Sequence, residues 1–418
     1  MKQKAPDLGR LPRVLRKRVA EARAIARERG ARLFLVGGVV RDLVLGRPVK
    51  DVDLVVEDDA AGFASAVAAT LPGQLKAHDR FGTATVELPD GTRLDVAAAR
   101  RETYERSGAL PKVEPASIEE DLFRRDFTIN ALALEIAPVR RPRLLDPFGG
   151  LHDIRRRSLR FLHSLSPFDD PTRAFRAVRY ANRLGFRIAP DAARAVREAL
   201  RSGALAAVSG DRVRRELELL FAEPNRAAAA RRLAALGLGA ALGARLEGTA
   251  RSLERLRRAE ALSEEWPPAS SWLLFLIAWA ADRPAAELAR LADRLALSGR
   301  AGRSVRAWPA TRRRLVRLRR ARRRSAIRAL SEGLSPEEIG ALAVCLPRRS
   351  AAKLLDAVRR PVRLAIGGRD LVAAGVLPGP GVGRALAETL AARENGMISE
   401  AEELDFALRR AGGRSRET

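Results

Sequence analysis

Residues 33–56 read LFLVGGVVRDLVLGRPVKDVDLVV: an apolar run, a glycine pair, a short helical stretch, then two aspartates alternating with aliphatic residues. Leu33–Val36 has the length of a buried strand, and Gly37 and Gly38 stop it. Two adjacent glycines let the backbone approach a phosphate closely and feed the helix expected over Val39–Leu45. Arg41 falls in that helix's first turn, where it adds positive charge. Asp51 and Asp53 sit two apart in a β-branched strand, so both carboxylates leave one face with Cα atoms about 6–7 Å apart. That separation suits a pair of Mg²⁺ ions about 3.5–4 Å apart, which polarise an attacking hydroxyl and neutralise a leaving pyrophosphate.

A third carboxylate would complete such a clamp. Thr83–Ala97 reads as a hairpin turning at Pro89-Asp90-Gly91, and Asp95 enters from its second strand. Each piece taken alone has a plainer reading: an Asp-x-Asp is often a solvated face or turn flank, and a glycine pair precedes helices in many unrelated folds.

The 418 residues exceed one ordinary domain, and 46% hydrophobic content is ample for buried cores. Aromatic residues make up only 5%, so base stacking is not the main means of grip on any nucleic acid. A formal charge of +27 points to a polyanionic partner, nucleic acid being the natural one. The single cysteine, Cys345, excludes an internal disulfide and fits a reducing, cytoplasmic compartment. Trp272–Ala281 is the longest apolar run and falls far short of the roughly 20 residues that span a bilayer. Residues 1–32 lack the apolar segment of a signal peptide, so no membrane association is expected. His152-Asp153 suggests a phosphohydrolase metal site, but only His78 and His163 accompany it, too few for that or for zinc.

Strand-like patterning is confined to about residues 31–150; beyond Leu151 apolar residues recur at helical spacing, broken at Gly185, Gly203 and Pro224. Near the first of these helices Asp170 and Arg173 lie three apart and share a face. A carboxylate that accepts from an exocyclic amine beside a guanidinium that donates to a ring nitrogen matches cytosine and adenine and rejects guanine and uracil. On pattern alone, Asp170 reads more simply as a helix N-cap beside Pro171. Arg176 and Arg179 continue the same face. From Arg294 to Arg328, including TRRRLVRLRRARRRSAIR, there is no acidic residue, so this stretch reads as a helix offering Arg312, Arg313 and Arg314 to an RNA backbone rather than as an ordinary solvated face.

GGVVRDLVLGR with DVDLVV, EEDLFRRDFTINALAL (119–134), DPFGGLHDI (146–154) and DDPTRAFRAVRYANRLGF (169–186) closely resemble, in order, the motifs of bacterial class II tRNA nucleotidyltransferases, which share their head with bacterial poly(A) polymerases. The resemblance spans residues 30–240 and continues more loosely to the C-terminus. It implies an α+β protein: a nucleotidyltransferase head of mixed sheet and helices over residues 1–155, then an all-helical neck over 156–245 and a helical body and tail over 246–418 that binds tRNA.

By the same resemblance Asp51 and Asp53 hold the metals and Asp95 assists. Gly37, Gly38 and Arg41 face the triphosphate, and Arg125 contacts the nucleotide. Asp170 and Arg173 read the base, and Arg176 and Arg179 reach the nucleotide. Asp126 and Asn130 are expected to orient the loop and ribose pocket. The implied activity is addition of CMP and AMP from CTP and ATP to the tRNA 3′ end with Mg²⁺ as cofactor, with no protein partner evident. An enzyme adding only A or only CC shares all the motifs; the full-length segment Arg101–Leu122 speaks against the CC-only form. HDRFGTATVEL stands where poly(A) polymerases carry a basic segment, and an RNA-binding protein with an inactive head has no reason to keep three clustered aspartates.

Overall fold

The computed structural model describes residues 5–57, 59–78, 83–103, 105, 108, 111–266 and 271–412. The chain forms two compact units, residues 1–224 with 235–241 and residues 225–234 with 242–418.

The first unit begins with α1 (Arg13–Glu28), β1 (Leu33–Val36), α2 (Gly38–Leu45), β2 (Asp53–Val56) and α3 (Ala60–Thr70). β3 (Gln74–His78), β4 (Thr83–Glu87) and β5 (Arg93–Ala98) follow, then β6 (Arg100–Thr103), β7 (Lys112–Pro115), α4 (Ile118–Phe123), β8 (Ala133–Ala137) and β9 (Arg143–Leu145). One sheet runs β3-β4-β5-β2-β1-β8-β9, and β6 with β7 makes a separate antiparallel pair. β1 and β8 lie inside the sheet with every residue buried, which is why LFLV reads as an apolar run without alternation; the one charged residue of β8, Glu135, is buried and paired with Arg32 at 3.1 Å. β2 and β5 are parallel neighbours in a register that sets Asp53 opposite Asp95.

The expected strands are present, with a difference at the aspartates. β2 starts at Asp53, and Asp51 lies ahead of the strand. β1 pairs with β2 only from Leu33 to Leu35, opposite Val56 to Leu54, because Val36 is followed by the turn at Gly37; no ladder partner remains for Asp51. Arg101–Leu122, read as a loop, is largely structured: β6 and β7 pair, with Arg101 and Glu114 bridged at 2.7 Å, and Ser117 opens α4 through a capping box with Glu120. Residues 79–82 of the HDRFGTATVEL segment lie outside the described residues.

Helices complete this unit: α5 (Gly150–Arg155), then α6 (Ser166–Asp169), α7 (Thr172–Leu184), α8 (Pro190–Arg201) and α9 (Gly210–Ala222). The minor strands β10 (Ser158–Leu159) and β11 (Arg187–Ile188) pair in parallel, and α7 packs against α9. Next come α10 (Arg226–Leu236) and α11 (Leu238–Ala241).

The second unit is helical among the described residues: α12 (Ala250–Glu265), α13 (Ser271–Ala280), α14 (Ala285–Arg294), α15 (Gly299–Arg320), α16 (Arg324–Ser331), α17 (Pro336–Cys345), α18 (Arg348–Arg359), α19 (Gly368–Ala373), α20 (Pro380–Glu394) and α21 (Glu403–Arg410). α13 carries the longest apolar run and is the buried core helix, packed on α12 and α17. Leu371, Ala385 and Ala407 form a smaller core joining α19, α20 and α21. No helix among the described residues is long and apolar enough to cross a membrane.

Candidate nucleotide-binding site

β1 ends at Gly37, whose φ of +69° only glycine adopts without strain. A Cβ there would lie 2.7 Å from Nη1 of Arg125, so the missing side chain is what lets this guanidinium lie against the backbone at the start of α2. Arg125 also donates from Nη2 to Oδ2 of Asp121 at 2.8 Å. Asp121 is fully buried at the end of α4 and also accepts from Nε and Nη2 of Arg124 at 2.9 and 2.7 Å. Burial works to raise the Asp121 carboxyl, but Arg125 and Arg124 outweigh it and hold it below its ordinary value.

Gly37, Gly38, Asp53, Arg124, Arg125, Asp126, Asn130, Asp170, Arg173, Arg176 and Tyr180 line one cavity of about 570 Å³, joined by Arg212, Arg215 and Glu216 of α9. A recess of about 260 Å³ takes Asp53, Arg124 and Arg125 on one side and Thr85 and Asp95 on the other. Asp53, Arg124 and Arg125 are common to both. Thr85 donates from Oγ1 to Oδ1 of Asp95 at 2.6 Å and fixes that carboxylate. Desolvation in the cleft raises the Asp53 carboxyl above its ordinary value; Arg125 opposes the shift, while Asp95 and then Asp51 add to it. Carboxylates that repel one another in a cleft are relieved by a cation, so this donor set fits a divalent metal. Among the described residues no three His, Cys, Asp or Glu side chains are already gathered as a metal-binding group, and the fit rests on Asp53 and Asp95 with Asp51 just ahead of β2.

On the helical side, Asp170 lies between α6 and α7. Its Oδ1 accepts from the Thr172 amide at 3.0 Å and the Thr172 hydroxyl at 2.7 Å, the helix-starting bonds anticipated for a cap, yet the residue also lines the cavity. Arg173 is buried, donating from Nη1 to the Ser166 hydroxyl at 2.7 Å and from Nη2 to the Arg124 carbonyl at 2.8 Å. Arg176 donates from Nε and Nη2 to Oδ2 of Asp126 at 2.9 and 2.7 Å, and Asn130 donates to the other oxygen at 2.9 Å. Burial works to raise the Asp126 carboxyl, and Arg176, Asn130 and Arg173 together hold it below its ordinary value.

Two expected nucleotide contacts are turned inward. Arg41 is 3% exposed, and its guanidinium donates to Oδ1 of Asn130 at 2.6 Å and to both oxygens of Asp42. Arg179 is 5% exposed and donates from Nε and Nη2 to Glu216 at 3.2 and 3.0 Å. Neither lines the cavity; both guanidinium carbons lie 5.2–5.3 Å from the ring centre of Tyr180. Pattern reading missed Glu102, Tyr180, Arg212, Arg215 and Glu216; the signal available for the α9 residues was only that Arg212 and Glu216 are four apart, beside the apolar stripe of Val213, Leu217 and Leu220.

Arg312, Arg313 and Arg314 lie on α15 in the second unit. Arg312 donates to the Ala281 carbonyl at 2.7 Å, and Arg314 donates to the Leu330 and Glu332 carbonyls at 2.8 and 3.1 Å, whereas Arg313 is exposed.

Residues 33–160 match the Poly A polymerase head domain, and residues 185–242 match a probable RNA and SrmB-binding site of polymerase A. The chain is 36% identical over 381 residues to the CC-adding tRNA nucleotidyltransferase of Deinococcus radiodurans, covering 90% of this chain and 88% of that protein. It is 43% identical over 206 residues to the A-adding tRNA nucleotidyltransferase of Geobacter sulfurreducens, which covers 49% of this chain but only 23% of that relative. The structure superposes on the Thermotoga maritima CCA-adding enzyme complexed with tRNA_CCA with a TM-score of 0.82 and 28% identity, covering 97% of this chain and 98% of the other.

Proposed function

Because the chain belongs to the bacterial class II tRNA nucleotidyltransferases, we propose that it adds CMP and AMP from CTP and ATP to the 3′ end of tRNA, building or repairing the CCA terminus. The observation that carries this reading is the shared cavity: Gly37, Asp53 and Arg125 from the sheet side line the same space as Asp170 and Arg173 from the helical side.

Asp51 and Asp53 would hold Mg²⁺, with Asp95 as the third carboxylate. Bound there, such ions supply polarisation of the primer hydroxyl and neutralisation of the departing pyrophosphate. The chain's own residues do the rest by positioning. Arg125, held by Asp121 and laid against Gly37, brings charge and donors to the phosphates. Asp170 accepts from the exocyclic amine of cytosine or adenine, while Arg173, steadied by Ser166 and the Arg124 carbonyl, donates to the neighbouring ring nitrogen. Guanine and uracil present the opposite pattern and leave buried groups unpaired. Holding nucleotide and primer in line replaces a diffusive encounter by an oriented one.

The relatives include A-adding and CC-adding enzymes, so an enzyme restricted to one of these is the second reading. Incubating the protein with tRNAs ending before CCA, after C and after CC, with single and paired nucleotides, tests both. Full addition gives two residues from CTP alone and three from CTP with ATP. Extension of the CC-ending tRNA only identifies an A-adding enzyme, arrest at CC with both nucleotides a CC-adding one, and long adenylate tails a poly(A) polymerase.

A further inference from the structure

We propose that Arg212 is a positioning residue for base choice, holding the Asp170 side chain with one oxygen committed to the protein and the other left for the nucleobase. This rests on the reading of Asp170 as a base-reading residue.

Arg212 stands in the first turns of α9 and reaches across the cavity wall. Its Nη2 donates to Oδ1 of Asp170 at 2.9 Å, and its Nη1 donates to the Gly108 carbonyl at 2.9 Å. The guanidinium is therefore gripped at both tips of its fork. Gly108 is itself fixed: its amide donates to the Asp169 carbonyl at 3.1 Å, its φ is +72°, and a Cβ would lie 3.0 Å from Cγ2 of Val208. Gly108, between β6 and β7, is thus linked to Asp170 through Arg212.

Oδ1 of Asp170 accepts three donors, the Thr172 amide, the Thr172 hydroxyl and Arg212. A carboxylate oxygen offers about two lone pairs, so Oδ1 has no capacity left for a base. None of these three bonds goes to Oδ2. The cap and the base reader are therefore one carboxylate used at two ends, which removes the conflict between the two readings of this residue.

The test measures kcat/KM for CTP, ATP, UTP and GTP on tRNAs lacking terminal residues, with a thermal midpoint for each protein, for Arg212→Ala, Arg212→Lys, Gly108→Val, Asp170→Ala and Asp170→Ala/Arg212→Ala. Arg212→Ala should lower discrimination against UTP and GTP about tenfold or more, through a raised KM for the correct nucleotide and easier acceptance of the wrong ones. Arg212→Lys, which keeps the charge but holds one partner at a time, should recover part of the loss. Gly108→Val, which dislodges the carbonyl at the other tip, should give a weaker loss in the same direction. The double variant should discriminate no worse than Asp170→Ala alone, because Arg212 acts through Asp170. An equal loss on all four nucleotides in Arg212→Ala, or a double variant whose loss is the product of the two single losses, overturns the proposal. Should Asp170→Ala itself keep full discrimination, the base-reading role fails first; should only Arg212→Ala keep it, that role stands and Arg212 is a structural tie.

Discussion

Arginines crowd two regions of this protein and are used differently in each. Around the cavity in the first unit, most guanidinium groups end on carboxylates, Arg124 and Arg125 on Asp121, Arg176 on Asp126, Arg179 on Glu216 and Arg212 on Asp170, while Arg173 ends on the Ser166 hydroxyl and the Arg124 carbonyl. Along the C-terminal half of α15 they end on backbone carbonyls at helix ends, as Arg312 and Arg314 do, or stand exposed, as Arg313, Arg317, Arg319 and Arg320 do. In the cavity, pairing costs each arginine most of its reach but sets its geometry, which is what recognition of one small planar ligand requires. On α15 the exposed members keep their charge, and binding a row of phosphates would draw on their number more than on their exact positions.

The largest effect belongs to the acidic side of the cavity. Asp53→Asn should reduce nucleotide addition by about a thousandfold or more while leaving tRNA affinity nearly unchanged, since phosphate contacts supply most of the binding. The Asp53 carboxyl is raised by burial, against Arg125 and with Asp95 and Asp51, and metal must displace its proton. Divalent-cation affinity should therefore fall on acidification from a higher pH than an ordinary aspartate would give. The sign for stability follows: a raised folded pKa contributes stability below the unfolded value and loses it as pH rises through the folded one. At neutral pH the metal-free Asp53→Asn protein should melt slightly higher than the parent. A lower melting point, or turnover close to the parent, would remove Asp53 from this role.

Next is Asp126→Ala, which removes the carboxylate that Arg176 and Asn130 donate to and leaves Arg176 facing Glu216 at 3.7 Å. The expected loss is about 2–4 kcal/mol, toward the low side for a broken buried pair because Arg176 keeps some solvent. Asp126 is depressed in the fold, so its stabilisation is present above the unfolded value and disappears as pH falls through the folded one. The variant should lack that part of the acid-side loss. Denaturant titrations of both proteins at neutral and acid pH check this, and an unchanged difference between them at the two pH values would contradict it.

The strands and the glycine turn were legible because their signals are local: an apolar run, a break, and a second run with alternating polarity. The pairing of Asp53 with Asp95 was not, because a parallel register between strands forty residues apart is set by the whole sheet. The β6–β7 pair escaped notice because ETYERSGALPKVEP alternates nothing apolar with polar. The inward turn of Arg41 and Arg179 also escaped it: a helical wheel puts an arginine on a face but does not say whether Asn130 or Glu216 waits there. Arg212 and Glu216 were invisible because their partners, Asp170 and Arg179, are thirty-seven or more residues away.

α15 offers a smaller effect that splits its own arginines. Arg313, Arg317 and Arg320 follow at spacings of four and three on one exposed face. Replacing these three with Ala should weaken tRNA binding and flatten the salt dependence by up to about two to three in log–log slope, with the melting point kept. Replacing Arg312 and Arg314 should instead lower the melting point, because the Ala281, Leu330 and Glu332 carbonyls lose their donors, with less change in slope. Equal slopes in both variants would show that exposure does not decide which arginines meet RNA.

The smallest effect tests whether nearby arginines that are already engaged still act as free charge. Cys345 shares a cavity of about 380 Å³ with Arg251, Arg255, Arg258 and Arg312, a setting that would activate a thiol if those cations were unpaired. They are not: Arg251 lies 3.8 Å from Asp282, Arg255 donates to the Ala278 carbonyl and to Asp282, Arg258 to the Ala343 and Leu346 carbonyls, and Arg312 to the Ala281 carbonyl. Burial dominates, with Arg255 opposing it and Asp282 adding to it, and the thiol is pushed up to about 11. Alkylation of the folded protein at pH 8 should therefore run about a hundredfold slower than for an ordinary exposed cysteine, rise only as the pH nears 11, and reach the ordinary rate at once in denaturant. Arg255→Met, which frees Asp282 from its partner, should slow the reaction further, since it removes a cation and leaves a carboxylate beside the sulfur. Labelling of the parent at the ordinary rate would mean that the ring of arginines outweighs burial, and that the guanidinium groups of this unit remain available charge even when each is engaged by a carbonyl.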